Sequence, residues 1–230
     1  MHYIIDTSII LASYLFGSIP FGLLVVLLIN GKDIRTIASG RTGGTNAFRA
    51  AGLGAGIFTA LLDILKAAIT VWLARSISPN IIIHILAPVA AVLGHNHSIF
   101  LLEHTASGKI RLRGGAGGAA AFGGTIGLWP PAAIIMLPIG ILLWWGVGYA
   151  SLTTLSVGLL TMIIFTIRAI QNLSPWIYVL YGFLVQILLT IALLPNLRNL
   201  LNGTERRHGL PLLLKKRKLT RHAPSDPQDR

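Results

Sequence analysis

Two short glycine-rich segments hold the residues best suited to chemistry. The first runs Ser39-Gly40-Arg41-Thr42-Gly43-Gly44-Thr45-Asn46, with Arg49 at helical spacing beyond it; the second runs Arg113-Gly114-Gly115-Ala116-Gly117-Gly118. Glycine leaves backbone N–H groups accessible, and clusters of them beside a cation suit phosphate oxygens. Ser39, Thr45 and Asn46 add neutral hydrogen-bonding groups, while Arg41, Arg49 and Arg113 supply charge. Arg49 can present a planar fork to a phosphate. The spacing matches neither a Walker loop nor a dinucleotide fingerprint. An ordinary glycine turn flanked by topological arginines is the competing reading, and the pairing of two such loops weighs against it.

Other groups stand out singly. Asp63 and Lys66 lie three residues apart in an apolar stretch and so share a helix face. Ionisable residues there face a bundle interior or a watery cavity, so the two either support the structure by pairing or line a site. His95 opens His95-Asn96-His97 ahead of the second glycine loop. It could carry a proton, anchor a phosphate, or end a helix with its ring satisfied by backbone. No metal site is expected, because His95 and His97 point to different sides of a helix without a carboxylate cluster. Ser151 opens an apolar stretch after Gly148-Tyr149-Ala150, where a helix cap is the plainer role. Glu205, in Asn202-Gly203-Thr204-Glu205, could serve as a base or orient an arginine.

The elements that must position these groups are membrane helices. Of 230 residues, 53% are hydrophobic and 11% charged, with a mean hydropathy of +0.72. That is too apolar for a soluble domain, and several stretches approach the ~20 apolar residues of a spanning helix. Candidate spans are Ile4–Asn30, Leu53–Ala74, Ile81–Leu102, Ala116–Leu128, Pro131–Val147, Leu152–Ile167 and Pro175–Leu194. Gly17-Ser18-Ile19-Pro20-Phe21-Gly22 breaks the first in its middle, freeing carbonyls that a neighbour must satisfy. The fourth is short and rich in glycine and alanine. The first span lacks a charged leader and a small-residue cleavage site, so it is expected to be retained. With no cysteine there is no disulfide framework and no thiol nucleophile.

Charge supports seven crossings. The formal charge is +12, but it lies in loops and tail, which argues against nucleic acid. Seven spans place 16 of the 19 lysines and arginines on one face, the pattern of cytoplasmic loops. Both glycine loops, Asn196 and Glu205 then meet on the cytoplasmic side, with the N-terminus outside. The expected fold is all-α: a polytopic bundle of about seven transmembrane helices over residues 1–211, with a basic cytoplasmic tail over 212–230. Lys215-Lys216-Arg217-Lys218 would be attracted to anionic lipid at about 1 kcal/mol per residue, and Ala223 to Arg230 is expected to be disordered.

These stretches, taken in order, resemble the bacterial acyl-phosphate:glycerol-3-phosphate acyltransferases, integral enzymes of the inner membrane with seven spans and cytoplasmic motifs. The resemblance rests on Gly17–Gly22, Asp33-Ile34-Arg35, Ser39–Arg49, Asp63–Lys66, Gly94-His95, Gly114–Gly117, Tyr149–Leu152 and Asn196–Glu205. It implies transfer of an acyl group from acyl phosphate to the sn-1 hydroxyl of glycerol 3-phosphate, giving lysophosphatidic acid and phosphate. No cofactor is implied, and the partners would be these substrates, membrane lipid and an enzyme that makes acyl phosphate. By the same resemblance Ser39, Thr45, Asn46 and Arg49 would hold one phosphate. Gly114, Gly115 and Gly117 would donate N–H groups to another, with His95 and Ser151 near the reacting atoms. Gly40, Arg41, Gly43, Arg113 and Asn196 complete the expected binding residues, and Ser39, His95, Ser151 and Glu205 are the expected catalytic ones. The chain departs from the family pattern at Arg41 (an asparagine there), Ala116 (a lysine), Gly148 (an arginine) and Leu193 (a histidine). Those departures set a divergent enzyme against an inactive relative that binds lipid phosphates. A small transporter of phosphorylated solutes is the alternative of another class, disfavoured by the lack of an internal repeat.

Overall fold

The computed structural model describes residues 2–104 and 108–209. Among the described residues eight α-helices form the bundle: α1 (His2–Ser18), α2 (Phe21–Asn30), α3 (Gly44–Ile77), α4 (Ile81–Asn96), α5 (Gly118–Leu128), α6 (Ala132–Leu142), α7 (Ala150–Ile170) and α8 (Ile177–Leu201). Five stretches are long and apolar enough to cross a membrane: α1 with α2, α3, α4 with its short extension, α7 and α8. The shorter α5 and α6 bring the apolar segments to the seven expected. The basic tail beyond residue 209 lies outside the described residues.

Each boundary follows from local chemistry. α1 and α2 separate at Ile19-Pro20, because proline lacks an N–H and its ring crowds the preceding turn. α3 begins at Gly44 rather than at Leu53, and a non-helical Ala51-Gly52 pair kinks it just before the expected start. α6 passes through a π-type turn, Leu143–Val147, and stops at Gly148. α8 overruns its expected end at Leu194 by seven residues, carrying Pro195 inside it. The loop after α4, where the residue pattern predicts no strand, holds two. Leu102–His104 (β1) and Ile110–Leu112 (β2) pair there as a small antiparallel hairpin, with Glu103 opposite Arg111.

Small residues let the helices close tightly. A Cβ at Gly17 would overlap the Ala91 backbone on α4, and one at Gly123 would overlap Ile64 O on α3. This is the close backbone approach used where lipid supplies no hydrophobic drive between helices. Val71, Ile85, Val92, Phe165, Tyr181 and Leu189 fill the interior, and Tyr181 donates its buried hydroxyl to Ala121 O at 2.8 Å. Isoleucine and leucine cover much of the outside, as at Ile134 and Leu142.

The short α5 has a consequence for depth. Its 11 residues span about 16 Å against a hydrocarbon core of about 30 Å. Counted from the helix ends opposite the glycine loops, Gly117, Lys66, Asp63 and His95 all lie about 16–21 Å along their helices. The second glycine loop therefore descends into the bundle, to the level of the ionisable residues.

Candidate active site

The floor of the site is a buried triad. Asp63 and Lys66 are each 1% exposed, and Lys66 Nζ lies 2.8 Å from Asp63 Oδ1. His95 Nδ1 faces both, at 3.0 Å from Lys66 Nζ and 3.3 Å from Asp63 Oδ1. Lys66 Nζ also donates to Ile19 O at 3.1 Å, satisfying a carbonyl at the break between α1 and α2. Helical spacing makes the Asp63–Lys66 pair legible in sequence. It does not reveal His95 as the third member, and the helix-ending role is replaced by a side-chain one.

His95 fixes the second glycine loop. Gly115 N–H donates to His95 O at 2.8 Å, and a Cβ at Gly115 would overlap the imidazole at Nε2. Only glycine lets the loop lie across that ring. Gly117 adopts φ 89 and caps the start of α5; a side chain there would meet Asn96 Oδ1. Gly115 thus spends its N–H inside the protein. Among the described residues the N–H groups of Gly114 and Gly117 have no backbone acceptor outside regular elements. Ala116 lies half-buried between them.

The first glycine segment is organised by Asn46 and by arginines. Asn46 Nδ2 reaches the carbonyls of Ile37 and Arg41, both at 2.9 Å, and of Ile34 at 3.2 Å. Its amide is committed to holding the loop, while its buried Oδ1 has no protein partner among the described residues. Arg41 donates to Ala192 O on α8 at 2.6 Å, beside the disturbance made by Pro195 and next to Leu193. The first glycine segment is thereby tied to α8. Burial pulls the Arg41 guanidinium below its ordinary value, opposed by the Glu205 charge and helped by Arg111. Gly40 turns with φ 67 against Arg35 O and Arg113. Ser39 is exposed, and its hydroxyl accepts the Arg41 N–H at 3.4 Å. Gly43 caps α3 through its carbonyl, which accepts from Asn46 and Ala47.

Glu103, missed from sequence, governs Arg113. Arg113 Nε lies 2.6 Å from Glu103 Oε2, and Arg35 Nη1 lies 3.8 Å from its Oε1. Arg35 is further held by Asp33 at 2.8 Å, and that bond keeps the Asp33 carboxyl below the usual carboxylate value. Glu103 is the one acid in a basic loop, a signal that spacing alone does not interpret.

Arg49 is freer. Among the described residues it has no hydrogen bond or ion pair, and it feels Arg206 and Glu205 electrostatically. Asn196 Nδ2 donates to Glu205 Oε1 at 2.7 Å, which settles Glu205 beside both Arg41 and Arg49. The chain after α8 then folds back. Arg207 Nε donates to Tyr149 Oη at 2.7 Å, His208 N–H donates to Gly148 O at 2.9 Å, and the His208 ring packs tilted by 43° against Trp144, with centroids 4.5 Å apart. Burial, then the Arg49 charge, pushes His208 down to about 4. His208 and Trp144 were also missed; neither belongs to a polar motif.

An apolar groove of about 300 Å³ opens beside this cluster. Thr45, Gly118, Trp144, Ala150 and Thr154 line its mouth, at the glycine-loop ends of their helices. Phe122, Met136 and Leu160 lie deeper, one to two turns further along α5, α6 and α7. Ser151, next to Ala150, is 1% exposed, and its Oγ has no protein partner among the described residues. The arrangement can hold anions at one end and a long apolar chain at the other.

Comparison with known proteins accords with this geometry. The family described as glycerol-3-phosphate acyltransferase matches residues 7–203. A glycerol-3-phosphate acyltransferase of Rubrobacter xylanophilus is 34% identical over 89% of this chain and 96% of its own. One from Thermus thermophilus is 36% identical over 87% and 94%. The crystal structure of PlsY (YgiH), an integral membrane glycerol 3-phosphate acyltransferase, in its glycerol 3-phosphate form is 28% identical to this chain. It superposes with a TM-score of 0.76 over 91% of this chain and 98% of that one. The lysophosphatidic acid form gives a TM-score of 0.72 at 26% identity, over 89% and 95%.

Proposed function

Starting from a chain that belongs to the glycerol-3-phosphate acyltransferase family, an integral membrane enzyme, we propose that it acylates the sn-1 hydroxyl of glycerol 3-phosphate with acyl phosphate as donor. The observation that carries this reading is a shared mouth. Thr45 of the first glycine segment and Gly118 at the end of the second line one apolar groove. An acyl phosphate needs that juxtaposition, with its tail in the groove and its phosphate at the arginines and loop amides. Arg49, less committed than Arg41 and Arg113, with Arg41, Ser39 and Thr45 holds one phosphate. The Gly114 and Gly117 amides hold the other, and Ser151 stands at the groove mouth near the carbonyl.

The chemistry asks mainly for position and charge stabilisation. The glycerol hydroxyl adds to the acyl carbonyl, the carbonyl–phosphate C–O bond breaks, and inorganic phosphate departs. Acyl phosphate is already activated, so aligning two mutually repelling anions and stabilising the carbonyl oxygen supply most of the rate. The hydroxyl proton goes to the departing phosphate or to His95 Nε2; the triad holds His95 through Nδ1. The pH profile of kcat in His95→Gln separates the two routes. An unchanged profile assigns the proton to phosphate, and a lost acid limb assigns it to His95.

The same reading puts the glycine loops on the cytoplasmic side of a bacterial inner membrane, with residues 212–230 a basic tail at its anionic surface. Enzyme reconstituted in vesicles and given palmitoyl phosphate with labelled glycerol 3-phosphate should release labelled lysophosphatidic acid and phosphate in equal amounts. Product formed only from palmitoyl-CoA would overturn the donor assignment.

A further inference from the structure

The hairpin of β1 and β2 is two-faced. Cross-strand partners share a face, so the Leu102–Leu112 and His104–Ile110 pairs lie on one side and the Glu103–Arg111 pair on the other. The second side is engaged, since Glu103 holds Arg113 and Arg35. The first side is open: Ile110 is 64% exposed and Leu102 47%. Phe100, at 58%, and Ile99, at 46%, extend the same apolar surface back toward α4.

The hairpin cannot move far from the bilayer. Its base is tied by Ser98 N–H to Arg113 O at 2.8 Å and Arg113 N–H to Leu101 O at 3.0 Å. Tyr14 on α1 donates its hydroxyl to His97 O at 2.9 Å, pinning the end of α4 beside it. From Leu101 to the His104–Ile110 pair the strands reach about 10 Å, close to the 5–10 Å depth of the headgroup boundary in which amphipathic elements seat. Lys109 precedes β2 and Arg111 lies within it, cationic residues of the kind that suit anionic headgroups.

We infer that this hairpin is an interfacial foot: its apolar face seats in the acyl–headgroup boundary of the surrounding bilayer, and its polar face braces Arg113 and Arg35 against the first glycine segment. The seat makes the membrane part of what positions those arginines. The inference does not depend on which acyl donor the enzyme uses.

The chain has no cysteine, so single introduced cysteines report unambiguously. The full-length protein would carry a nitroxide at Ile110→Cys, Phe100→Cys or, on the polar face, Arg111→Cys, in vesicles of phosphatidylglycerol and phosphatidylethanolamine. Collision rates with oxygen, which concentrates in lipid, and with a water-soluble nickel chelate give depth. The foot predicts an oxygen-to-nickel ratio several-fold higher at 110 and 100 than at 111. Equal, water-like ratios at all three positions would overturn it. Shielding of 110 and 100 from both reagents would also overturn it, assigning the face to a second copy of the chain.

Discussion

Lys66→Met tests the buried triad most directly. The substitution removes an ion pair at 2.8 Å between groups each 1% exposed, together with the 3.1 Å bond to Ile19 O at the α1–α2 break. A lone buried carboxylate costs about 3–5 kcal/mol, and the orphaned carbonyl adds about 1 kcal/mol. Lys66→Met should therefore lose about 5 kcal/mol. At 2–4 °C per kcal/mol for a chain of this size, the unfolding midpoint should fall by roughly 10–20 °C. The double variant Asp63→Leu with Lys66→Met removes both charges and leaves only Ile19 O and His95 Nδ1 short of a partner. It should lose about 2 kcal/mol and recover most of the midpoint. Both variants should lose acyltransfer, because His95 is no longer held. Thermal unfolding in detergent, followed by tryptophan fluorescence, measures the midpoints. A double variant no more stable than Lys66→Met would refute the claim that the pair is mutually compensating, and Asp63 would then need another counter-charge.

Gly115→Ala drives a methyl into the His95 ring; the fold should survive a cost of about 1–3 kcal/mol, while kcat falls by about 10²-fold through misplacement, as read from steady-state rates on protein with an unaltered gel-filtration profile. Leu160→Trp fills the deep end of the groove and should cut kcat/KM for palmitoyl phosphate far more than for octanoyl phosphate, in a paired assay. Arg49→Met should raise KM by about 10-fold or more, with Arg49→Lys restoring part of it, since a lysine supplies charge without the planar fork. His208 is held neutral in the fold, near 4 against its ordinary 6.5. The unfolded chain therefore binds a proton first, and stability should fall as pH drops from about 6.5 to about 4. Midpoints compared between the native chain and His208→Phe across that window should diverge toward acid.

Reading the sequence alone recovers the long-range plan better than the local commitments. Apolar length locates the spans, and Pro20 within Gly17–Gly22 gives away the break in the first. Pro195 misleads, since a proline inside a helix forfeits one donor, and Arg41 from 151 residues away covers the neighbouring Ala192 carbonyl. The hairpin escapes notice because two three-residue strands carry too little alternation to register. In the site, Arg41, Arg49 and the glycines are visible as types, but which of them are spent is not. Asn46 gives its amide to three loop carbonyls, Gly115 gives its N–H to His95, and Arg113 is claimed by Glu103. Such assignments depend on partners brought close only by folding.

The brevity of α6 and its π-type turn shapes the surroundings as well as the protein. Ala132–Val147 faces outward through Ile134, Leu137, Ile141 and Leu142, yet spans only about 24 Å against a hydrocarbon thickness of about 30 Å. Hydrophobic mismatch of that size draws the nearby leaflet inward, and it does so along the wall of the groove. Where thinning is the response, the polar surface of the membrane would dip toward the groove mouth, and an amphiphile could slide its tail sideways between helices while its charged end stays wet. Bilayers of longer-chain lipid would deepen that dimple and resist it elastically, making acyl-chain length of the host membrane a control on entry and exit.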